Sequence, residues 1–328
     1  MTNEVILVTG ANGEIGHGLI TALGEQHAGD IIALDVKPVD DALRKYCAEC
    51  LEGDILDEAL LRRLILEHGV TTIYHLASIL STKAELNPEL AQRVNVEGTL
   101  SLFRLATEKS KADQAPVKFI YPSSIAVYGI PSLALKQQVG KVKEDQFCQP
   151  ITMYGCNKLY CEHLGRYYAH HYRQLTEPPG ETTLIDFRVL RFPGLISAFT
   201  VPTGGTSDYG PEMIHHAAQG VPYTCFVRPD TRLPFMVMPD AIKSILNLAA
   251  ASKEKLTQTV YNVTSFSPTA WEMYQEVKQA FPSAEISFEP SAARQGIVDS
   301  WPADIDDSAA RRDWGWKPDY DQARSFSE

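Results

Sequence analysis

The first half of the chain alternates short apolar segments with longer amphipathic ones. The apolar segments have the length of strands, and the predicted strands are residues 4–9, 30–34, 47–51, 72–76, 117–122 and 183–190. Between them apolar residues recur at helical spacing, which predicts helices near residues 14–26, 57–68, 89–109 and 154–173. This alternation is typical of βαβ units around a parallel sheet. The pattern therefore predicts an α/β protein with a doubly wound Rossmann sheet.

The pattern changes after residue 192, where segments rich in Pro, Gly and Thr precede shorter helices near 239–252 and 268–281. We predict a Rossmann domain over residues 1–192 and a smaller C-terminal α/β substrate region over 193–328, with segments near 230–262 packing back on the first domain. Ligands of open parallel sheets bind at the carboxyl ends of the strands. The C-terminal region is therefore expected to cover a ligand at that edge.

A glycine-rich segment joins the first predicted strand to the first predicted helix. It reads Gly-Ala-Asn-Gly-Glu-Ile-Gly over residues 10–16. Glycines permit the tight turn and let a pyrophosphate approach the backbone, while the helix N-terminus offers free N–H groups to the phosphates. The segment predicts a dinucleotide site. The residues expected to bind the cofactor here are Gly10, Asn12, Gly13, Glu14, Ile15 and Gly16.

The ends of the next three predicted strands extend this site. Asp35 ends the second strand, about 20 residues beyond the glycine motif, where a carboxylate accepts hydrogen bonds from the adenosine ribose and repels a 2′-phosphate. NAD is therefore predicted as the cofactor rather than NADP. Further cofactor contacts are expected after the third and fourth strands, at Asp54, Ile55, Leu76, Ala77 and Ser78. Asp54 is equally suited to cap a helix, and His75 is interpreted as a hydrogen-bonded histidine at the end of the sheet.

Tyr154 and Lys158 lie four residues apart at the start of a predicted helix, so they share one face. A nearby ammonium favours the phenolate, and the nicotinium ring adds a second positive charge. Tyr154 is therefore predicted as the base that takes a proton from a substrate hydroxyl. Ser124, at the end of the fifth predicted strand, is predicted to orient that hydroxyl. Tyr154 and Lys158 are also expected to contact the cofactor. Asn95 is expected to bind the cofactor or to order a water leading to Lys158, with a structural role as the alternative.

Composition narrows the range of partners. The formal net charge of −11 disfavours nucleic acids and acidic membranes, which bind clustered cations. No signal-peptide pattern and no apolar segment of bilayer length is found, so a cytoplasmic location is the expectation. Cys47 and Cys50 form a CxxC, but no second ligand pair follows with zinc spacing. We interpret them as reduced thiols and predict no metal.

Together these residues resemble the extended short-chain dehydrogenase/reductase superfamily, which includes the NAD-dependent epimerases and dehydratases. Within it, the C-terminal half is similar to the short-chain type of L-threonine 3-dehydrogenase, and the resemblance covers essentially the whole chain. The segments that carry this resemblance are 190–197, 204–209, 230–234, 238–242, 299–302, 305–308 and 314–316.

The resemblance implies oxidation of the 3-hydroxyl of L-threonine to L-2-amino-3-oxobutyrate, with Tyr154, Lys158 and Ser124 as the catalytic set. It implies that Phe192 and Leu195 lie near the nicotinamide. Residues expected to bind the substrate are Ser81, Ser124, Tyr154, Thr206 and Ser207. It also implies a homodimer.

The chain departs from the family pattern at residues 130–149 and at an apparent insertion over 174–182. A related 3-hydroxy amino acid therefore stays an alternative substrate, because discrimination at the scale of a methyl group is worth only about 1–3 kcal/mol. A nucleotide-sugar 4-epimerase or dehydratase of the same superfamily is the second alternative. A non-enzymatic NAD-binding regulator is the third alternative. Such regulators can lose the catalytic tyrosine or lysine, whereas this chain has both Tyr154 and Lys158.

Overall fold

A computed structural model describes residues 4–176, 183–198, 200, 202 and 204–327. Its centre is a seven-stranded sheet in the order β11-β7-β5-β4-β1-β2-β3, and every neighbouring pair is parallel. The strands are β1 Val5–Thr9, β2 Asp30–Asp35, β3 Glu49–Glu52, β4 Thr72–His75, β5 Lys118–Ser124, β6 Lys141–Val142, β7 Asp186–Phe192, β8 Gly194–Ile196, β9 Tyr223–Cys225, β10 Phe235–Val237, β11 Val260–Asn262, β12 Ile286–Phe288 and β13 Asp304–Ile305. The predicted doubly wound Rossmann fold is confirmed.

Helices cover both faces of the sheet and build the C-terminal region. They are α1 Glu14–Glu25, α2 Asp41–Arg44, α3 Glu58–Arg62, α4 Ser81–Leu86, α5 Pro88–Gln92, α6 Thr99–Asp113, α7 Leu133–Gln138, α8 Met153–His170, α9 Tyr209–Gln219, α10 Met238–Ala250, α11 Ala270–Ala280, α12 Ala292–Asp299, α13 Ser308–Trp314 and α14 Gln322–Ser327. None of the helices in the described ranges is long and apolar enough to cross a bilayer.

The predicted helix over 89–109 is interrupted in the structure. It begins as α5, widens into a π-helical segment over Arg93–Gly98, and continues as α6 to Asp113. The predicted strand over 183–190 is also displaced, since β7 starts at Asp186. Pairing with β5 sets this register, because Lys118 lies opposite Asp186 and Ser124 lies opposite Phe192. The predicted insertion at 174–182 falls largely on residues 177–182, which lie outside the described residues.

Two elements from the C-terminal half complete the central sheet: one is a strand at its edge, and the other is a helix on one of its faces. β11 pairs with β7 at one edge, and α10 packs on the same face as α1, where Met238, Ile242 and Ile245 belong to one apolar cluster with Leu19 and Ile20. A second cluster fills the opposite face beneath α6 and α8. A third lies between the segment after β5 and helices α9 and α11. The third cluster therefore lies beyond the carboxyl end of β5.

Candidate active site

The turn between β1 and α1 is built from backbone. Gly10 has a φ of +72°, in the left-handed region, and a Cβ there would lie 2.6 Å from the backbone nitrogen of Ala77. At Gly16 a Cβ would lie 2.4 Å from the carbonyl oxygen of Ala11. Gly13 is the N-cap of α1, and among the described residues no side chain caps this helix. Its first N–H groups are therefore free to bind an anion.

A cavity of about 410 Å³, here called the first cavity, opens beside this turn. Residues at the carboxyl ends of β1 to β4 line it. Nine of the predicted cofactor-binding residues line it: Gly10, Asn12, Gly13, Asp35, Asp54, Ile55, Leu76, Ala77 and Ser78. The Asp35 carboxylate accepts hydrogen bonds from the backbone N–H of Asn12 at 2.9 Å and of Lys37 at 3.1 Å. A carboxylate has about four acceptor positions, so ribose hydroxyls fit beside these two bonds.

A second cavity, of about 350 Å³, shares Gly10, Asn12, Gly13, Leu76 and Ser78 with the first. The two therefore form one cleft that passes the N-terminus of α1. The remaining predicted site residues in its wall are Glu14, Ile15, Gly16, Ser81, Ser124, Tyr154, Lys158, Phe192, Leu195, Thr206 and Ser207. A dinucleotide that lies along the cleft would place its phosphates at free backbone N–H groups. The residues present fit NAD.

Helix α8 carries Tyr154 and Lys158. The Thr152 hydroxyl caps it by accepting a hydrogen bond from Gly155 N–H at 3.1 Å. The Lys158 ammonium donates to the carbonyl of Pro122 at 2.8 Å and lies 5.5 Å from the centre of the Tyr154 ring. Lys158 is only 4% exposed, and burial lowers its pKa to about 8, with Cys161 and Glu162 opposing part of that effect.

The protonation of Tyr154 differs from the expectation drawn from the sequence. Burial raises the pKa of the Tyr154 phenol above its ordinary value, although a lowered pKa was expected from the neighbouring lysine. The reason is desolvation: removing water disfavours the phenolate more than an ammonium across the ring favours it. Lys158 alone therefore does not make Tyr154 a base at neutral pH.

Ser124 is the last residue of β5 and lines the second cavity. Its hydroxyl accepts a hydrogen bond from Ala126 N–H at 3.1 Å, so it serves as a strand-end cap as well as a cavity group. A hydroxyl both donates and accepts, and its own proton can point into the cleft.

A buried ion pair fixes the strands and helix that carry these groups. The Arg191 guanidinium donates to both carboxylate oxygens of Glu162, at 2.9 and 2.6 Å, and to the Tyr128 hydroxyl at 3.0 Å. The Ser123 hydroxyl donates to the same carboxylate at 2.6 Å. Although burial opposes it, Glu162 holds the pKa of Arg191 above its ordinary value. The network joins α8 to β5 and β7. It includes Ser123, the neighbour of Ser124, and Glu162, one helical turn after Lys158.

Helix α4 and the loop before α9 form another wall of the second cavity. The Thr206 backbone N–H and hydroxyl both donate to the Ser81 hydroxyl, at 3.1 and 3.0 Å. Asp208 accepts from the backbone N–H of Gly204 at 3.0 Å and also from that of Gly205. These contacts close the loop on itself and hold Thr206 and Ser207 in the cavity wall.

Asn95 stands outside the lining of both cavities. Its side chain accepts from Ile79 N–H at 2.7 Å and from the Ser78 hydroxyl at 3.1 Å, and it donates to the Ile79 carbonyl at 3.0 Å. It lies in the π-helical segment and holds the segment after β4 against the cleft. Of the two roles expected from the sequence, cofactor binding with an ordered water and a structural role, these hydrogen bonds support the structural one.

His75 is hydrogen-bonded at both ring nitrogens, to Thr9 at 2.7 Å and Thr99 at 2.8 Å. Burial, followed by the nearby Lys158, lowers its pKa to about 3, so it is neutral at physiological pH. Cys47 and Cys50 are free thiols, and burial raises the pKa of Cys47. In the described ranges, no group of three or more His, Cys, Asp or Glu side chains is arranged to hold a metal ion.

Asp208 and Trp301 are among the residues of the second cavity that sequence reasoning missed. Both lie in segments that the family resemblance uses, and that was the available signal. Trp301 is buried, and its indole N–H has no hydrogen-bond partner among the described residues. No local pattern places a residue so far along the chain beside Tyr154.

Comparison with known proteins identifies the family. The model of the NAD dependent epimerase/dehydratase family matches residues 6–264. The chain belongs to this family. Membership confirms the predicted superfamily. It also confirms that the protein is an enzyme and that its cofactor is NAD.

Relatives of this family member include proteins named L-threonine 3-dehydrogenase. The mitochondrial one of Bos taurus is 33% identical over 325 residues, which covers 96% of this chain and 79% of that protein. A monomeric L-threonine 3-dehydrogenase from a metagenome is 36% identical, with a TM-score of 0.84 over 98% of this chain and 96% of that one. The holo form of a GalE-like L-threonine dehydrogenase from Cupriavidus necator is 33% identical, with a TM-score of 0.85 over 98% and 97% of the two chains.

Proposed function

We propose that this enzyme oxidises the 3-hydroxyl of L-threonine to give L-2-amino-3-oxobutyrate, while NAD+ is reduced to NADH. The observation that carries the proposal is the convergence of Tyr154, Lys158 and Ser124 in one cavity that continues into the α1 glycine turn. The names of the relatives indicate the substrate, and the side chains that line the cavity indicate the reaction.

In this reaction bound NAD+ supplies the hydride acceptor and a positive ring. Tyr154 takes the proton of the substrate hydroxyl, and the C3 hydrogen leaves as hydride, so that the alcohol loses two electrons and becomes a ketone. Lys158 holds an ammonium near the Tyr154 ring, and that charge favours the phenolate as it forms. Ser124 orients the hydroxyl through its own proton and lone pairs.

The charge of the second cavity favours an amino acid over a nucleotide sugar. Among the described residues that line it, two are acidic, Glu14 and Asp208, and one is basic, Lys158. A sugar nucleotide would bring a second diphosphate, which needs cations or free N–H groups beyond those that the cofactor uses. The Ser81, Thr206 and Ser207 hydroxyls suit a small polar substrate instead. A nucleotide-sugar epimerase therefore remains the second candidate.

A substrate panel tests the proposal. The purified protein is mixed with NAD+ and, separately, with L-threonine, L-allo-threonine, L-serine, 3-hydroxynorvaline and a UDP-sugar, and NADH absorbance is followed. We expect net NADH formation with L-threonine at the highest kcat/KM. NADH accumulation with a different 3-hydroxy amino acid at a higher kcat/KM would reassign the substrate. Conversion of the UDP-sugar without NADH would favour the epimerase.

Three wider expectations belong to the same proposal: the domain division at residue 192, a homodimer and a cytoplasmic location. Relatives point in other directions for the last two, since one is named as monomeric and another as mitochondrial. Light scattering coupled to size-exclusion chromatography, with and without NAD+, decides between monomer and dimer.

A further inference from the structure

We propose that the Glu14 carboxylate binds the α-ammonium group of the substrate. The inference rests on the proposed function, because it assigns one of the substrate's charged groups to a residue of the same cavity. Glu14 was predicted from the sequence to bind the cofactor through the glycine turn. In the structure, the backbone and the side chain of Glu14 serve different parts of the cleft.

Glu14 is the first residue of α1, and it lines the second cavity but does not appear in the lining of the first. Its backbone therefore belongs to the helix N-terminus that faces the pyrophosphate, while its half-buried side chain belongs to the substrate side. A carboxylate directed at the phosphates would be repelled by them. Directed into the second cavity, it provides an anion at the place where an amino acid needs one.

The other charged groups of this cavity have hydrogen-bond partners within the protein. Lys158 donates to the Pro122 carbonyl and lies beside the Tyr154 ring. Asp208 accepts hydrogen bonds from two backbone N–H groups of its own loop. Of the two carboxylates in the described lining, Glu14 is the one that accepts no hydrogen bond from the backbone N–H of a described residue. An amino acid that leaves water must place its ammonium beside an anion, because a buried unpaired charge is strongly unfavourable.

The surroundings of Glu14 favour a ligand that carries a positive charge. Burial raises the pKa of its carboxyl, Asp208 adds to the increase, and Thr200 and His215 reduce it. Thr200 lies close enough to lower that pKa, yet its buried hydroxyl has no hydrogen-bond partner of ordinary geometry in the described part of the chain. An ammonium has three donors. It would satisfy the Glu14 carboxylate and the Thr200 oxygen together.

A structural alternative is that Glu14 only stabilises α1, since an acidic residue in the first turn complements the helix dipole. The two roles differ in what the substitution Glu14→Gln should change. Glutamine keeps the size of the side chain and loses its charge. A structural role predicts lower stability and equal losses for all substrates, whereas ammonium binding predicts a loss confined to substrates that carry an ammonium.

The experiment compares wild type, Glu14→Gln and the control Glu25→Gln, which removes the same charge from the exposed end of the same helix. Steady-state kinetics are measured with NAD+ and either L-threonine or (R)-3-hydroxybutyrate, which keeps the configuration at C3 and lacks the ammonium. NAD+ affinity and melting temperature are measured for each protein. We expect Glu14→Gln to raise the KM for L-threonine roughly 10- to 100-fold, since a hydrogen bond to a charged group is lost.

For the same variant, kcat/KM for (R)-3-hydroxybutyrate and the Kd for NAD+ should stay within about twofold of wild type, as should every value for Glu25→Gln. A KM for L-threonine that is unchanged in Glu14→Gln would overturn the inference and leave the proposed function standing. Equal losses with both substrates, or a matching loss of NAD+ affinity, would assign Glu14 a structural role and also overturn it. Wild-type protein without turnover of L-threonine would overturn the proposed function and the inference together.

Discussion

The two cavities of the cleft are built in different ways. The first is lined by residues at the carboxyl ends of four neighbouring strands and by Val94 of the π-helical segment, and all of them lie within the first 94 residues. The second collects side chains from α1, α4, β5, α8, the loop before α9 and the segment around Trp301. The adenosine half of the cofactor can be bound by one contiguous part of the chain. A substrate site needs groups whose positions only the complete fold brings together.

Burial also separates the two cavities. In the second, desolvation shifts the pKa of Glu14, Tyr154 and Lys158 away from their ordinary values. The first depends on backbone N–H groups and close glycine packing. Substitutions in the first cavity are therefore expected to act on cofactor affinity, and substitutions in the second on substrate binding or the chemical step.

The largest effect is expected for Tyr154→Phe, which removes the proposed base and keeps the ring. We expect kcat with L-threonine to fall about 10³-fold, within the usual range for loss of a general base, while the Kd for NAD+ stays within about twofold. Tyr160→Phe is the matched control, because Tyr160 lies on the exposed face of the same helix. Retention of more than about a tenth of wild-type kcat would contradict the assigned role.

An intermediate effect is expected for Gly10→Ala in the first cavity. The new Cβ would lie 2.6 Å from Ala77 N, in a backbone conformation that an L-residue rarely adopts. We expect NAD+ affinity to fall roughly 10- to 100-fold, because β1 and the segment after β4 must move apart at the pyrophosphate. Isothermal titration with NAD+ measures the change.

Gly69→Ala supplies the control for this substitution. Gly69 has a similar φ of +74°, and a Cβ at this position would have no neighbouring atom within 4 Å among the described residues. It therefore reports the cost of the left-handed backbone alone, about 1–2 kcal/mol. Equal losses of unfolding free energy in the two variants, with NAD+ affinity intact, would show that close packing at Ala77 does not govern the first cavity.

The smallest effect concerns the pH dependence of stability. Burial lowers the pKa of Lys158 to about 8, from 10.5 for the ordinary side chain. Between these values the unfolded chain binds more protons than the folded one, so the free energy of unfolding rises with pH. The Lys158 contribution between pH 7.5 and 9.5 is about 2 kcal/mol. Urea unfolding at the two pH values should show that Lys158→Met has lost this increase.

Lys136→Met is the control for the pH experiment. Burial also lowers the pKa of Lys136 to about 8, and its ammonium donates to the Val298 carbonyl, away from the second cavity. This variant should lose a similar increase in stability and keep its activity, whereas Lys158→Met should lose both. A wild-type pH dependence in Lys158→Met would mean that the buried ammonium is already compensated by its neighbours.

The sheet was predictable because its strands are apolar and separated by helices of regular period. The glycine turn and Asp35 were predictable for the same reason, since their spacing along the chain fixes their positions in space. Strand β11 was not predictable, because three residues are too few to show a period. Only its pairing with β7 defines it as a strand. The π-helical segment that carries Asn95 likewise departs from the spacing on which a helix prediction depends.

The protonation of the site could not be predicted from residue types. Tyr154 and Lys158 at helical spacing indicate a pair with a lowered tyrosine pKa, yet burial raises the pKa of the phenol. Desolvation depends on how the second cavity closes, and that closure uses residues as distant as Thr206 and Trp301. The sequence pattern therefore identifies the catalytic candidates and leaves their charge states to the fold.

The ion pair between Glu162 and Arg191 limits how this chain can be recombined with any relative that lacks one of the two residues. Its partners lie on α8 and β7, so every crossover point between residues 162 and 191 draws them from different parents. A hybrid that inherits one charge without the other leaves it buried alone, at a cost of about 3–5 kcal/mol. Libraries of chimeric enzymes should therefore exchange this helix and strand as a single block.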